Sequence, residues 1–334
     1  MAKAQPARQV PVVVMGLGFI GREIVRAVQG SPELQLVAAV DSNPALIGKK
    51  LGELIGDPTL KLPVAGELEQ ALRACRGGVL LHATGSRLPQ VMDQLLSGIR
   101  AGLSVVSTCE ELAFPYLKYP KLAEKLDETA EDAGVCVLGM GVNPGYVLDR
   151  LVATGAQACG EVRRIHARRV VDARTRREAL QRKVGAGLSE REFSLLVEKE
   201  QIGHVGLAES AALCALGSGI SCDQFEEEIE PVLAGEDIQG GAFPVLKGRV
   251  AGISQTAVGY DDGRERVRLE LTIAVGAQDP GDRILIEGDP PLEMEIKGGV
   301  AGDRATAHLV VNAAPRVTAA EAGLLTVLEL PAGR

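Results

Sequence analysis

Two adjacent carboxylates, Glu110 and Glu111, lie in the stretch STCEELAFPY, directly after the apolar run LSVVS. Neighbouring carboxylates at the end of a strand repel each other, and a partly buried one has a raised pKa suited to taking and returning protons near neutrality. The competing reading is that they open a helix and complement its dipole. A second chemically suggestive stretch, VVVMGLGFIGREIVRAV at residues 12–28, sets Gly16, Gly18 and Gly21 in the pattern G-x-G-x-x-G between an apolar run and an amphipathic one. In that context Gly16 permits a tight turn and Gly18 lets backbone approach a pyrophosphate. Gly21 lets the following helix sit close to its strand, and Phe19 and Ile20 open that helix. The helix N-terminus offers N–H groups and positive dipole to phosphate.

Asp41 ends the run LVAAVD, 20 residues after Gly21. An acidic residue there accepts hydrogen bonds from the adenosine ribose hydroxyls and disfavours a 2′-phosphate, so NAD is the expected cofactor. Ser42, Asn43, Lys49 and Lys50 are compatible with NADP as well. The run GVLLHATGS puts Ala83, Thr84, Gly85 and Ser86 at the carboxyl edge of the next strand but one, where ligands of open α/β sheets bind, and Thr108 occupies the same edge after LSVVS. His82, inside its apolar run, reads as a structural histidine. In GMGVNPGYVLD, Asn143 is either a ligand contact, to cofactor or substrate, or a helix cap, with Pro144 in the first helical turn.

Alternation in VRRIHARRVV puts Arg169 between Ala167 and Val171 on the more apolar face, where a charge needs a partner. A substrate carboxylate supplies one bidentately, and so does an Asp or Glu of the fold. His204, in the loop-like IGHVG, is a second candidate for that pocket. No metal site is expected. The six cysteines, Cys75, Cys109, Cys136, Cys159, Cys214 and Cys222, contain no CxxC pair, which speaks against zinc and against a disulfide framework.

The elements that must position these residues follow from periodicity. Through about residue 140, short β-branched runs alternate with amphipathic stretches, the pattern of parallel strands joined by helical crossovers. The fold class is therefore α/β: a doubly wound parallel sheet in residues 1–145, followed by a second, α+β domain in 146–310. ERVRLELTIAVG alternates with period two, placing Val267, Leu269, Leu271, Ile273 and Val275 on one face of a strand. A C-terminal segment, 311–334, follows and packs on either the first or the second domain, AHLVVNAAPRVTAAEAGLLTVLELP reading as a strand, a Pro-marked turn and a short final helix. In the 334 residues, 36 Lys and Arg stand against 44 Asp and Glu, a net charge of −8 without single-sign blocks. A nucleic-acid or anionic-membrane surface is not expected; a small molecule is. MAKAQPARQ carries no apolar signal region and no segment reaches the length of a membrane span, so a cytoplasmic protein is expected.

The pieces GLGFIG, AVDSNPALIGKKLGEL, ATGS, STCEELAFPY, GMGVNPGYVLDRL and VVNAAPRVTAAEAGLLTVLELP together resemble the 2,4-diaminopentanoate dehydrogenases and related amine dehydrogenases, whose N-terminal domain is similar to that of dihydrodipicolinate reductase. The resemblance implies a Rossmann domain in residues 1–145, an α+β substrate-binding and dimerisation domain in 146–310, and a homodimer that oxidatively deaminates an amine with NAD(P) and, in reverse, aminates a ketone or aldehyde with ammonia. It implies an essential glutamate within CEEL, carried first to Glu110 and second to Glu111. It further implies an Arg and a His that hold a substrate carboxylate, carried to Arg169 and His204. Two alternatives stand beside it: an imine reductase of the dihydrodipicolinate reductase type, and a non-catalytic NAD(H) sensor on the same scaffold.

Overall fold

The computed structural model describes residues 9–73, 75, 77–331 and 333; residues 1–8, the greater part of the MAKAQPARQ stretch behind the expectation of a cytoplasmic protein, lie outside the described set. The chain forms two compact units, one running to Gly145 and resuming at Ala301, the other Tyr146–Val300.

In chain order the first unit begins β1 (Val10–Met15), α1 (Phe19–Gln29), β2 (Leu34–Val40), α2 (Leu51–Ile55), β3 (Val64–Ala65), α3 (Leu68–Arg73), β4 (Val79–His82), α4 (Leu88–Arg100), β5 (Ser104–Ser107), α5 (Pro120–Ala133) and β6 (Cys136–Gly139). The second contains α6 (Arg150–Ala156), β7 (Glu161–Asp172), α7 (Glu178–Lys183), α8 (Glu190–Glu198), α9 (Leu207–Gly217), β8 (Gln224–Leu233), β9 (Val250–Asp261), β10 (Arg264–Ala274), β11 (Gly281–Asp289) and β12 (Leu292–Lys297). The chain then returns to the first unit with α10 (Gly302–Val317) and β13 (Gly323–Leu325).

The first sheet has seven strands in the order β13-β6-β5-β4-β1-β2-β3, and every pairing in it is parallel. Its strands are apolar on both faces, as Val12, Val13 and Val14 of β1 and Val79, Leu80 and Leu81 of β4 illustrate, because helices cover both sides of a doubly wound sheet. On α4 the buried positions Leu88, Val91, Met92, Leu95, Leu96 and Ile99 recur at the spacing of one helical face. Truncating the fully buried Leu95 to Ala costs about 2–5 kcal/mol. Strand order reverses at β1, which pairs with β4 on one side and β2 on the other, so the crevice for a ligand opens at the carboxyl ends of these strands.

The second sheet has six strands, β12-β11-β7-β10-β9-β8, with β7 and β10 parallel and the remaining pairs antiparallel. Helix α9 lies against β8, β9 and β10, and α6 against β11. On β10, Val267, Leu269, Leu271 and Ile273 are buried while Arg268, Glu270 and Thr272 between them are half-exposed, the signature of a strand covered on one face. Val275 is buried just past the strand end. Ser189 and Glu192 close a capping box at the start of α8.

The tail differs from its sequence reading. AHLVVNAAPRV is helical, within α10, because its buried residues Ala307, Val310, Val311, Ala314 and Val317 recur at three- and four-residue intervals, a helical stripe that the β-branched pair disguises. Pro315 sits in the last turn and does not end the helix. Gly323–Leu325, expected as helix, is a strand that pairs parallel with β6 at the sheet edge. Residues 301–310, expected with the second domain, and 311–334 both belong to the first unit, where α10 packs on α1, β4 and β5.

Candidate active site at the carboxyl edge of the parallel sheet

The three glycines meet three different demands. Gly16 has φ +87°, and a Cβ there would stand 2.5 Å from the Ala83 carbonyl oxygen. A Cβ at Gly21 would fall 1.7 Å from the Gly16 carbonyl oxygen, inside the helix–strand contact. A Cβ at Gly18 would meet nothing within 4 Å, so this residue leaves backbone open toward a ligand. Gly18 caps α1 without any side-chain cap. The carboxylate of Asp41 accepts Leu17 N–H at 2.6 Å and Asn43 N–H at 2.8 Å, stapling the end of β2 to the glycine loop. A cavity of about 380 Å³ opens here, and Gly16, Gly18, Asp41, Ser42, Thr84 and Gln94 contribute to its wall. Ala83 and Gly85 complete the β4 side of that wall, with Met15, Gln90 and Val91. Phe19, Ile20, Gly21, Thr108 and Asn143, also expected at the cofactor, do not line this cavity. The α4 contribution was not seen in the sequence; its signal is the i, i+4 pair Gln90 and Gln94 on the helix that leaves the ATGS loop. An unshielded glycine, an uncapped helix N-terminus and a carboxylate at the end of β2 fit a nicotinamide dinucleotide.

The two glutamates open a 3₁₀ turn, Glu110–Ala113, after β5, and the fold treats them differently. Glu111 is fully buried. Its Oε2 accepts the Leu88 N–H at 2.8 Å, Oε1 accepts from Arg87 Nη1 at 3.3 Å, and the Tyr119 hydroxyl lies 3.5 Å from Oε1. Its own N–H donates to the Ser86 carbonyl at 3.2 Å. Leu88 opens α4, whose cap residue Arg87 provides no side-chain cap, so the Glu111 carboxylate supplies the missing acceptor. Glu110 is half-buried at the same turn. The neighbouring Cys109 thiol is pushed up to about 12, first by burial and then by the charges of Glu110 and Glu111, which leaves it an inert neutral thiol near pH 7.

Asn143 lies in a run of turns after β6 and is joined to Pro144 by a cis peptide bond. It caps no helix. The next helix, α6, begins only at Arg150, whose N–H is accepted by Asp149 at 2.6 Å. Gly145, φ +121°, folds this loop so tightly that a Cβ would stand 2.6 Å from Gly141 N. The Val142 N–H donates to Thr306 Oγ1 of α10 at 3.1 Å, which ties the loop down.

In the second unit Arg169 finds the partner its burial demands within the fold. It is 5% exposed, and its Nη1 donates to Asp282 Oδ1 at 2.6 Å from the directly opposed residue of β11. Nη2 donates to the Val300 carbonyl at 2.6 Å, and Asp282 Oδ2 accepts the Val300 N–H at 2.8 Å. Burial lowers the Arg169 pKa from its ordinary value, while Asp282 opposes that shift. The backbone of His204 is clamped by Gln255, which accepts its N–H at 2.8 Å and donates to its carbonyl at 2.7 Å. Arg169 lies opposite Leu271, and Leu271 opposite Gln255. The three side chains thus share one sheet face, with Arg169 and the His204 anchor two strand spacings apart, about 10 Å. The roles of Asp282 and Gln255 were not legible in the sequence, since cross-strand register decides them.

Comparison with known proteins matches the profile of the 2,4-diaminopentanoate dehydrogenase C-terminal domain to residues 146–334, and that of the dihydrodipicolinate reductase N-terminus to residues 10–106. The chain is 29% identical to the 2,4-diaminopentanoate dehydrogenase of Acetoanaerobium sticklandii, over 98% of this chain and 94% of that protein. It is 24% identical to an amine dehydrogenase of Streptomyces virginiae, over 96% of both. Among solved structures, an amine dehydrogenase from Mycobacterium smegmatis superposes with a TM-score of 0.86 at 21% identity, covering 98% of each chain, a likeness of fold. With more than half its length matched by the C-terminal domain profile, the chain belongs to the 2,4-diaminopentanoate dehydrogenase family, a family of oxidoreductases.

Proposed function

We propose that this chain is an amine dehydrogenase that uses a nicotinamide dinucleotide, NAD in preference to NADP. It oxidatively deaminates an amine such as 2,4-diaminopentanoate and, in reverse, aminates a ketone or aldehyde with ammonia, as a cytoplasmic homodimer. The observation that carries this reading is the division of labour between two adjacent glutamates. Glu111 caps the start of α4, and Glu110, half-buried on the same turn at the carboxyl edge of the sheet, is the group we assign to proton transfer. The Asp41 carboxylate at the end of β2 supports NAD, since a 2′-phosphate there would meet like charge.

An amine must be neutral before its α-hydrogen can leave with its electron pair, so Glu110 takes a proton from the substrate ammonium. A nicotinamide ring bound at this edge supplies the hydride acceptor. Ionised again after release of that proton to solvent, Glu110 stabilises the iminium and then deprotonates the attacking water, which leads to the ketone and ammonia. In the aminating direction these roles reverse. Asn143 and His204 are assigned to substrate binding. Because the charge of Arg169 is already matched by Asp282, we expect recognition that does not depend strictly on a substrate carboxylate.

The test is Glu110→Gln. Turnover of 2,4-diaminopentanoate with NAD is expected to fall by about 10²–10⁴-fold while NADH still binds; undiminished turnover would overturn the role of Glu110. An imine reductase would reduce its substrate without ammonium, and a sensor would bind NADH yet turn over no amine in a broad panel. Assays with amines that have and lack a carboxylate resolve the substrate class.

A further inference from the structure

His82, the last residue of β4, reads in the sequence as a structural histidine, and the structure gives it a directional role. It is fully buried, as is Ser107 at the end of β5. Ser107 Oγ accepts the Cys109 N–H at 3.0 Å and lies 2.8 Å from His82 Nδ1. A buried hydroxyl must place its own hydrogen, and among the described residues Nδ1 is the acceptor in position. Nδ1 therefore accepts. Burial holds the imidazole pKa down at about 4, so the neutral ring carries its one proton on Nε2. That N–H faces Thr84 Oγ1 at 2.7 Å and Gln94 Oε1 at 2.8 Å, and Thr84 donates to the same Gln94 oxygen at 2.6 Å.

The donors thus all point one way, from Cys109 through Ser107, His82 and Thr84 to Gln94. Two donors converge on Oε1, which fixes the carboxamide orientation. The NH₂ group makes no hydrogen bond to the described protein, and Gln94 lines the cavity of about 380 Å³ that also contains Gly18, Asp41 and Ser42. Asp41 and Ser42 stand where this fold class meets the adenosine ribose.

We infer that Gln94 is a specificity-determining residue of the dinucleotide site, its NH₂ donating to an acceptor atom of the adenosine half, with His82 as the positioning residue that holds the carboxamide in that sense. The inference rests on the dinucleotide reading of the cavity. Gln94 lies on helix α4, outside the glycine motif.

The experiment measures dissociation constants for NADH, ADP-ribose and reduced nicotinamide mononucleotide on the wild-type protein, Gln94→Glu, Gln94→Met and His82→Gln. Gln94→Glu keeps the inward-facing acceptor and loses the donor; Gln94→Met loses the donor without adding charge. Both are expected to weaken NADH and ADP-ribose about tenfold, the worth of one hydrogen bond, while reduced nicotinamide mononucleotide, which lacks adenosine, binds unchanged. His82→Gln, which keeps an amide N–H donor at the position of Nε2, is expected to retain ADP-ribose affinity within about threefold. Unchanged ADP-ribose affinity in both Gln94 variants would overturn the inference, as would an equal loss for reduced nicotinamide mononucleotide, since that would indicate general damage. A wild-type protein that binds neither NADH nor ADP-ribose would overturn the dinucleotide reading itself and this inference with it.

Discussion

The two sheets place their polar residues in opposite ways. In the parallel sheet the candidate site stands beyond the strand ends, in the glycine loop, Asp41, the ATGS loop and the Glu110 turn, while the strand interiors are apolar. In the mixed sheet, polar side chains occupy strand interiors on the helix-covered face, as Arg169, Asp282 and Gln255 do, and each is matched inside the unit. A buried polar side chain in mid-strand must be satisfied by the fold because no solvent or ligand reaches it, so it becomes a clamp on some other segment. Here the clamped segments are Val300 and His204. A polar side chain past a strand end can be left for a ligand. Glu111 is the exception that refines this rule, since it lies past a strand end and yet is consumed by a helix terminus.

Substitutions can break or sharpen that contrast. The largest effect is expected at the strand-end site: Glu110→Gln should abolish most turnover while the urea unfolding midpoint moves little. Asp282→Asn in the mid-strand class should do the reverse. It leaves the Arg169 charge buried without a counter-charge, costing about 3–5 kcal/mol in equilibrium unfolding; a smaller loss than that of an ordinary surface substitution would sink the clamp assignment. Next comes pH. The folded-state pKa of His82, about 4, lies below its ordinary 6.5. The unfolded chain therefore binds the extra proton between these values, and stability is full above about pH 6.5 and falls as pH drops toward 4, by on the order of 3 kcal/mol. His82→Gln should flatten that part of the pH–stability profile. Glu111→Gln weakens a charge-assisted cap and should cost about 1–3 kcal/mol, with NADH affinity retained; a loss of activity at full folding would place Glu111 with Glu110 after all. The smallest effect belongs to Ser189→Ala at the α8 capping box, about 1 kcal/mol, as a calibration remote from both classes.

The parallel sheet was legible because strands buried on both faces must be written as continuous apolar runs, and the glycine loop because its three glycines each satisfy a backbone demand that other residues cannot. The edge that carries Glu110 and Glu111 was legible for the same reason. Which of the pair caps α4 was not, since the answer depends on where the first residue of α4 arrives, 23 positions earlier in the chain. Arg169 was correctly marked as a charge in need of a partner, but Asp282 is 113 residues away and only the β7–β11 register brings it opposite. Gln94 was missed because its orientation comes from a histidine on another element. The tail was misread where valines suggested a strand over a helical stripe of small residues.

The Glu111 contacts have a consequence for how the site fails. Its N–H is bound to Ser86 and its carboxylate to Leu88, so the loop after β4, which walls the cavity, and the turn after β5, which carries Glu110, are riveted into a single corner. Parts joined in this way soften together. On warming, the cavity wall and the Glu110 turn should therefore loosen at one temperature, and an engineer who reshapes the cavity through residues 86–88 will move Glu110 in the same stroke.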